Sequence, residues 1–442
     1  MKKLKFKKIL AVTMSIIMVL SLAACGGNTK ETGKSEGGKK SAEQVSGPIT
    51  IEFWHVRGSG ANGTHMSKMV KRFNETNEYG ITVVETFMGD YAGCLSKSYA
   101  AIAAGNNPTV MIAGSGGIEM LAEEGVLADM TPYMERDKFN VDNIPETLQY
   151  FMRWDDEILS VPYTASTPMF FYNKSLWGEE GPASLEDMTV KAAQIAQNNQ
   201  GVYGFGMGID APFVQRPILK SLGSEGLMNA KGNGAGCLDD GSLEKYLTDW
   251  RKWIEEGWCM APDVTSQGTK MTEAFYQGKL AAMIGSTGSL VNIMNYSKEA
   301  GIDLGVSRLI GYGGYTASVG GGHLVVLERN HSQQEIAAAW EFVKFLLEDQ
   351  QVAENTIDTG YLPITYSSVE TDLIKNLWAQ SPAFELAFKQ LEYATYNTRS
   401  TNSAEWNSQM ATAISYVIQD KSMSPKEAVD YLKTQEKIIF DK

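Results

Sequence analysis

An α/β protein built as two lobes is what this sequence predicts, on three observations. From Pro48 onward, strand and helix patterns alternate. Two capping boxes open amphipathic helices in the C-terminal third. The 442 residues, without a repeat of solenoid period, suffice for two or three domain-sized units.

The elements follow in order. Ile49, Ile51 and Phe53 alternate with polar residues, a strand signal, and Met66, Met69, Val70 and Phe73 then recur at helical spacing. Residues 81–84 predict a second strand, Tyr91–Ala104 a second helix, residues 109–113 a third strand and residues 118–124 a third helix. Such strand–helix–strand repetition implies a parallel sheet covered on both faces. Ser332-x-x-Glu335 and Ser424-Pro425-Lys426-Glu427 are the capping boxes, the second with proline at the first helical position. Behind them, Ile336, Ala339, Trp340, Val343 and Leu347 form one apolar stripe, and Val429, Leu432 and Ile438 another. Two α/β lobes, connected through the middle of the chain, are the economical arrangement.

The N-terminus has its own pattern. Five lysines fall between Met1 and Lys8, a mainly apolar run follows, and it ends in Leu22-Ala23-Ala24-Cys25. A basic region, a short apolar region and small residues before a cut are the marks of a cleavable signal peptide. The run is short of the ~20 apolar residues that a spanning helix requires. A cysteine directly after the small residues resembles a bacterial lipobox, which makes residues 1–24 the signal peptide and Cys25 the lipidation site. Residues 25–47 lack any aromatic side chain and predict a flexible tether. The protein is then extracytoplasmic and held to the cell membrane through the lipid on Cys25.

Composition narrows the partners. The formal charge is −13, and removal of the five signal lysines takes it to −18. An acidic surface excludes nucleic acid and an anionic bilayer as natural partners. With Cys25 committed to lipid, Cys94, Cys237 and Cys259 remain, an odd number that allows at most one intramolecular pair. Cys237 with Cys259 is the better candidate for it, and Cys94 sits in an apolar helical pattern and reads as core.

Chemical motifs are few. Gly58-Ser59-Gly60-Ala61-Asn62-Gly63 is a GxGxxG between a strand and a helix, and Glu85 falls where a ribose-binding acid would sit. Val56 and Arg57 separate the strand from the first glycine, however, so a plain glycine-rich loop is the better reading. There is no G-x-S-x-G, H-E-x-x-H or P-loop, and no catalytic set stands out. His55, His65, His323 and His331 lack paired-ligand spacing, so no metal site is expected, and His55 and His65 read as loop or surface residues. Asp155-Asp156-Glu157 and Asp239-Asp240 stand beside turn residues and read as solvated loops. No cofactor is implied. More telling is where three side chains fall: Trp54 at the end of the first strand, Tyr91 after a Gly-Asp turn, and Ser115 in a Gly-Ser-Gly-Gly turn. Carboxyl ends of strands are where open α/β sheets bind ligands.

Five stretches then resemble a known family, the extracellular solute-binding proteins of bacterial ABC importers, carbohydrate type. They are Ile51-Glu52-Phe53-Trp54-His55, Gly105-Asn106-Asn107-Pro108, the run VPYTASTPMFFYNK over residues 161–174, the run FYQGKLAAMIGSTGSL over 275–290, and TGYLPIT over 359–365. The resemblance runs from Pro48 to the C-terminus and is densest to the glycerol-3-phosphate-binding branch. It implies a two-lobed periplasmic-binding-protein-like fold (type II) with the ligand cleft between the lobes. It assigns residues 48–160 and 307–327 to the first lobe and residues 162–306 and 330–442 to the second. Matching positions imply Tyr91, Ser115, Ser166, Ser286, Gly321 and Tyr361 as cleft residues, joined by Trp54 from the strand end.

One departure bears on the ligand. The branch holds its phosphate with an arginine, and the matching position here is Asn407. A phosphate calls for charge-assisted donors, whereas a neutral amide suits sugar hydroxyls. Arg399 stands nearby as a substitute should the register differ by a turn. Ser115 replaces a carboxylate of the branch, and Thr109 an acid, a minor structural change. The resemblance therefore implies a monomeric binding lipoprotein that captures a sugar or oligosaccharide and delivers it to an ABC permease. A glycerol-3-phosphate- or glycerophosphodiester-binding protein is the near rival. A surface-attached glycoside hydrolase or dinucleotide-dependent enzyme is the alternative of another class.

Overall fold

The alternation seen in the sequence becomes two five-stranded sheets. The computed structural model describes residues 42–58, 60–263, 269–395 and 398–441. In chain order the strands of the two sheets are β1 (Ile49–His55), β2 (Ile81–Phe87), β3 (Val110–Gly114), β4 (Val161–Pro162), β5 (Pro168–Asn173), β6 (Phe205–Gly206), β7 (Cys259–Met260), β8 (Ala282–Ser286), β9 (Leu304–Arg308) and β10 (Gly322–Val326). The first sheet has the order β2-β1-β3-β10-β4 and the second β9-β5-β8-β6-β7. Within the first, β2, β1 and β3 run parallel, β10 is antiparallel to β3, and β4 is antiparallel to β10 and so runs with the first three. The sheet is therefore mixed where the repetition implied a parallel one, because β10 arrives from the other sheet rather than through a local crossover helix.

Local chemistry sets the helices of the first sheet. Helix α1 (Ala61–Thr76) buries Met66, Met69, Val70 and Phe73. Helix α2 (Tyr91–Ala104) starts where Asp90 Oδ1 accepts the Gly93 amide at 2.7 Å, so the Gly-Asp turn is an N-cap. Helix α3 (Ser115–Glu123) begins at Ser115, directly off the end of β3. Both capping boxes are present, at Ser332/Glu335 and Ser424/Glu427. Trp250, Trp406, Met410 and Ile414 centre the core around the second sheet, and Cys94, Met111 and Leu121 a smaller core under the first.

Several expectations shift. Ser307 and Arg308 pair with Phe170 and Met169 in the second sheet, and the chain rejoins the first sheet only at Gly322. The helix Gln333–Leu346 lies against β1 and β10, so the first sheet, not the second, takes the amphipathic stripe of Ile336 and Trp340. Residues 42–47, expected in the tether, are docked: Ser46 donates to Gln334 Oε1 at 2.9 Å, and Val45 packs on the core. Cys237 and Cys259 are separate buried thiols, not a disulfide, and Cys94 is buried as expected. His55 and His65 are buried rather than loop or surface residues. His55 lies 3.4 Å from Glu85, and His65 Nδ1 lies 2.9 Å from Asp358. Residues 1–24 and Cys25 lie outside the described residues. Among the described residues no helix is long and apolar enough to cross a membrane.

Candidate solute-binding cleft

The chain passes from one sheet to the other through residues 162–168 and back through residues 318–322. These two segments lie side by side. The amides of Tyr163 and Thr164 donate to the Gly322 carbonyl at 3.1 and 3.0 Å, and Ser166 and Gly320 exchange backbone bonds of 2.9 and 2.8 Å. At this double crossing opens a cavity of about 590 Å³, within the size range of small-molecule sites.

Seven of the eight residues expected at a cleft line it: Tyr91, Ser115, Ser166, Ser286, Gly321, Tyr361 and Asn407. Each arrives on a different piece of the fold. Tyr91 opens α2, and its ring covers the ends of β3 and β10, with its hydroxyl 3.3 Å from Thr164 Oγ1. Burial pushes that phenol well above its usual range, so it stays a neutral hydroxyl donor and acceptor. Ser115 is the first residue of α3, Ser166 stands in the crossing, and Ser286 ends β8 and accepts the Gly288 amide at 3.1 Å. Asn407 stands in the first turns of the helix Ser403–Ile418, and its Oδ1 is buried without a protein partner.

Tyr361 follows the left-handed Gly360 that ends the helix Asp349–Thr359. Its ring is clamped: the Arg57 guanidinium carbon lies 4.3 Å from the ring centroid on one side, and Gly288 backs it on another. A Cβ on Gly288 would come within 2.8 Å of Tyr361 Cζ. G288A is therefore expected to displace the ring and weaken solute binding roughly tenfold, about 1.4 kcal/mol. Calorimetric titration beside a melting curve checks this, and an unchanged affinity would show that the ring position is immaterial.

Trp54 is not among the cavity-lining residues. It packs with Val56, Met88 and Trp154 around the small core under the first sheet. Arg399 stacks on Tyr150, its guanidinium carbon 4.8 Å from the ring centroid, and likewise does not line the cavity. The sequence reading missed Asp210, Phe213 and Arg216, which do line it. They come from a π-helical turn, Ala211–Gln215, and the start of the helix behind it. Gln215 fixes that turn, accepting the Asp210 amide at 2.8 Å and donating to the Gly208 carbonyl at 2.9 Å. The two prolines, 212 and 217, were the available signal of an irregular turn there. As for the other motifs, α1 starts at Ala61, and Asn62 Nδ2 donates to the Gly288 carbonyl at 3.2 Å, so the glycine-rich loop ties the segments together. Asp155, Asp156 and Glu157 are exposed on a hairpin, and Asp239 and Asp240 are exposed in the loop before the helix Ser242–Glu255. No group of three or more His, Cys, Asp or Glu side chains that could hold a metal ion occurs among the described residues.

Residues 68–385, more than half of the chain, match the sequence profile described as bacterial extracellular solute-binding protein. The chain belongs to this family. Among curated relatives, the sn-glycerol-3-phosphate-binding periplasmic protein UgpB of Shigella dysenteriae is 27% identical over 363 residues, spanning 77% of this chain and 80% of the relative. UgpB of Escherichia coli K12 is 27% identical over 362 residues, with the same coverage. Solved structures share the fold at lower identity. UgpB from Mycobacterium tuberculosis, in complex with glycerophosphocholine, superposes with a TM-score of 0.78 at 20% identity over 90% of this chain and 99% of that one. The GacH receptor of Streptomyces glaucescens, solved unliganded and with acarbose, gives 0.78 at 19% identity over 89% and 98%. MalE from Bdellovibrio bacteriovorus, bound to maltotriose, gives 0.74 at 16% identity over 89% and 100%. The fold of this solute-binding protein is thus the two-lobed one of sugar-binding relatives.

Proposed function

We propose that this solute-binding protein captures a sugar or oligosaccharide in the cavity at the double crossing and delivers it to an ABC permease without chemical change. The observation that carries the reading is the lining itself. Hydroxyls of Ser115, Ser166, Ser286 and Tyr91 and the unpartnered Asn407 Oδ1 share one cavity with the rings of Tyr361, Phe151 and Phe213. Sugar rings present hydroxyl rims and apolar C–H faces, and both find partners here. Acarbose and maltotriose in the neighbouring structures favour saccharides. Glycerophosphocholine and sn-glycerol 3-phosphate, named for other relatives, keep a phosphorylated ligand as the second reading.

Two lobes closing on the solute complete the proposal. The first comprises residues 48–162 with 322–359, and the second residues 168–308 with 382–441; bound solute favours the closed arrangement because it touches both. We further propose that the protein works as a monomer, tethered outside the cell by a lipid on Cys25 after removal of residues 1–24. A thermal-shift screen of neutral mono- and oligosaccharides, glycerol 3-phosphate and glycerophosphodiesters tests the reading. A solute at 100 times its Kd adds about 2.7 kcal/mol to stability, so the right compound raises the melting temperature by several degrees. Turnover of the solute would overturn it.

A further inference from the structure

Arg216 is 3% exposed, lines the cavity, and has no carboxylate within ion-pair distance among the described residues. Its guanidinium is held by two neutral acceptors: Nε donates to the Pro212 carbonyl at 3.0 Å and Nη1 to Thr395 Oγ1 at 3.0 Å. Nη2 has no bond to a described residue. The group is therefore both oriented and uncompensated. Burial lowers its pKa to about 10, which still leaves it cationic at neutral pH. Lys220, one turn on, adds positive potential rather than relieving it. A buried charge without a counter-ion opposes folding by several kcal/mol, and the two bonds it makes are ones that an uncharged donor could supply. A permanent cation persists in such a place when it meets an anion there. Asp210, the acid that shares the cavity wall, does not answer it: it forms no ion pair with Arg216, and desolvation raises its pKa, which disfavours the charge that would.

From this geometry we propose that Arg216 is the specificity-determining cation of the cleft and that the solute is a saccharide or polyol bearing an oxyanion, a carboxylate or a phosphate ester. The assignment rests on the solute-binding reading above. It places the cation not at the position of Asn407 but at Arg216, the first residue of the helix behind the π-turn. Asn407, Ser166 and Ser286 then serve the hydroxyls, and Arg216 receives the charge through the Nη2 donors that no described residue occupies.

The test is calorimetric titration of the full chain, and of R216K and R216Q, with matched probes: glucose, glucuronate, glucose 6-phosphate, glycerol and glycerol 3-phosphate. For the wild type, one of the charged probes is expected to bind about 100-fold more tightly than its neutral counterpart, the effect of a buried charge pair. R216Q is expected to remove that preference, and R216K to retain part of it. Glucuronate against glucose 6-phosphate decides between carboxylate and phosphate. The wild-type comparison stands alone should R216Q fail to fold. If glucose or glycerol binds as tightly as its charged partners, the assignment is overturned while solute binding survives. If a broad set of sugars and polyols, charged and neutral, fails to bind, both readings fall together.

Discussion

G321A is expected to destabilise the protein by about 3 kcal/mol or more and to abolish solute capture. Gly321 has φ +116°, a backbone conformation in which side-chain-bearing residues are strained, and a Cβ there would overlap the Thr164 carbonyl oxygen. Neither segment can retreat. Thr164 Oγ1 accepts the Gly322 amide at 2.7 Å, and the Ser166–Gly320 bridge follows one step further on. Because these segments join the two sheets, displacement there changes how the lobes meet and not merely one wall of the cavity. G313A is the control, since Gly313 also has a positive φ, of 71°, yet its Cβ would meet open space. Melting curves should show G313A lowered by about 1 kcal/mol, the cost of a side chain in the left-handed region, and G321A by several times as much. Equal losses would mean that close packing at the crossing is not what Gly321 supplies.

The second large effect is a pH dependence of closure. Glu119, on α3 beside the first sheet, accepts a hydrogen bond from Ser403 Oγ at 2.8 Å and from the Ser400 amide at 3.3 Å. Ser403 opens the helix that carries Trp406 into the core of the second sheet, so the contact joins the two sheets' layers beside the cavity-lining Gly116 and Ala404. Burial raises the Glu119 pKa to about 7, against the hydrogen bonds from Ser403 and Ser400 and the nearby Arg399, which lower it. When the lobes part, the carboxyl regains water and its pKa falls toward the ordinary carboxylate value, near 4.5. Closing therefore takes up a proton between these two values. The closed form is favoured fully below pH 4.5, loses that advantage as pH rises to about 7, and changes no further above it. Affinity is expected to fall roughly 100-fold between pH 4.5 and 8, and E119Q to flatten the profile. A profile identical in E119Q would exclude Glu119 as its origin.

How legible all this was depended on how local the cause was. Helix α2 is read from its spacing and its Gly-Asp cap, and both capping boxes from four residues each, because those signals act within one turn. Which sheet a helix covers is not local. The stripe of Ile336 and Trp340 fits either sheet, and only β10, returning late in the chain, draws that helix back to the first. Strand parity explains Trp54 and His55. Ile51, Phe53 and His55 face the same buried side of β1, so Trp54 points the other way, into the small core with Trp154. The cleft residues on short motifs came together as the resemblance implied, whereas Arg216 opens the short helix behind a π-turn, and the prolines at 212 and 217 break the periodicity that would have been read there.

The central claim is that the chain captures a solute and returns it unaltered. Titration with the best compound of the thermal-shift screen, followed by scattering of the complex and chromatography of the solute released on denaturation, tests it most directly. One molecule bound per chain, a smaller radius of gyration on binding, and solute recovered intact is the predicted result. Solute recovered cleaved or oxidised would contradict it.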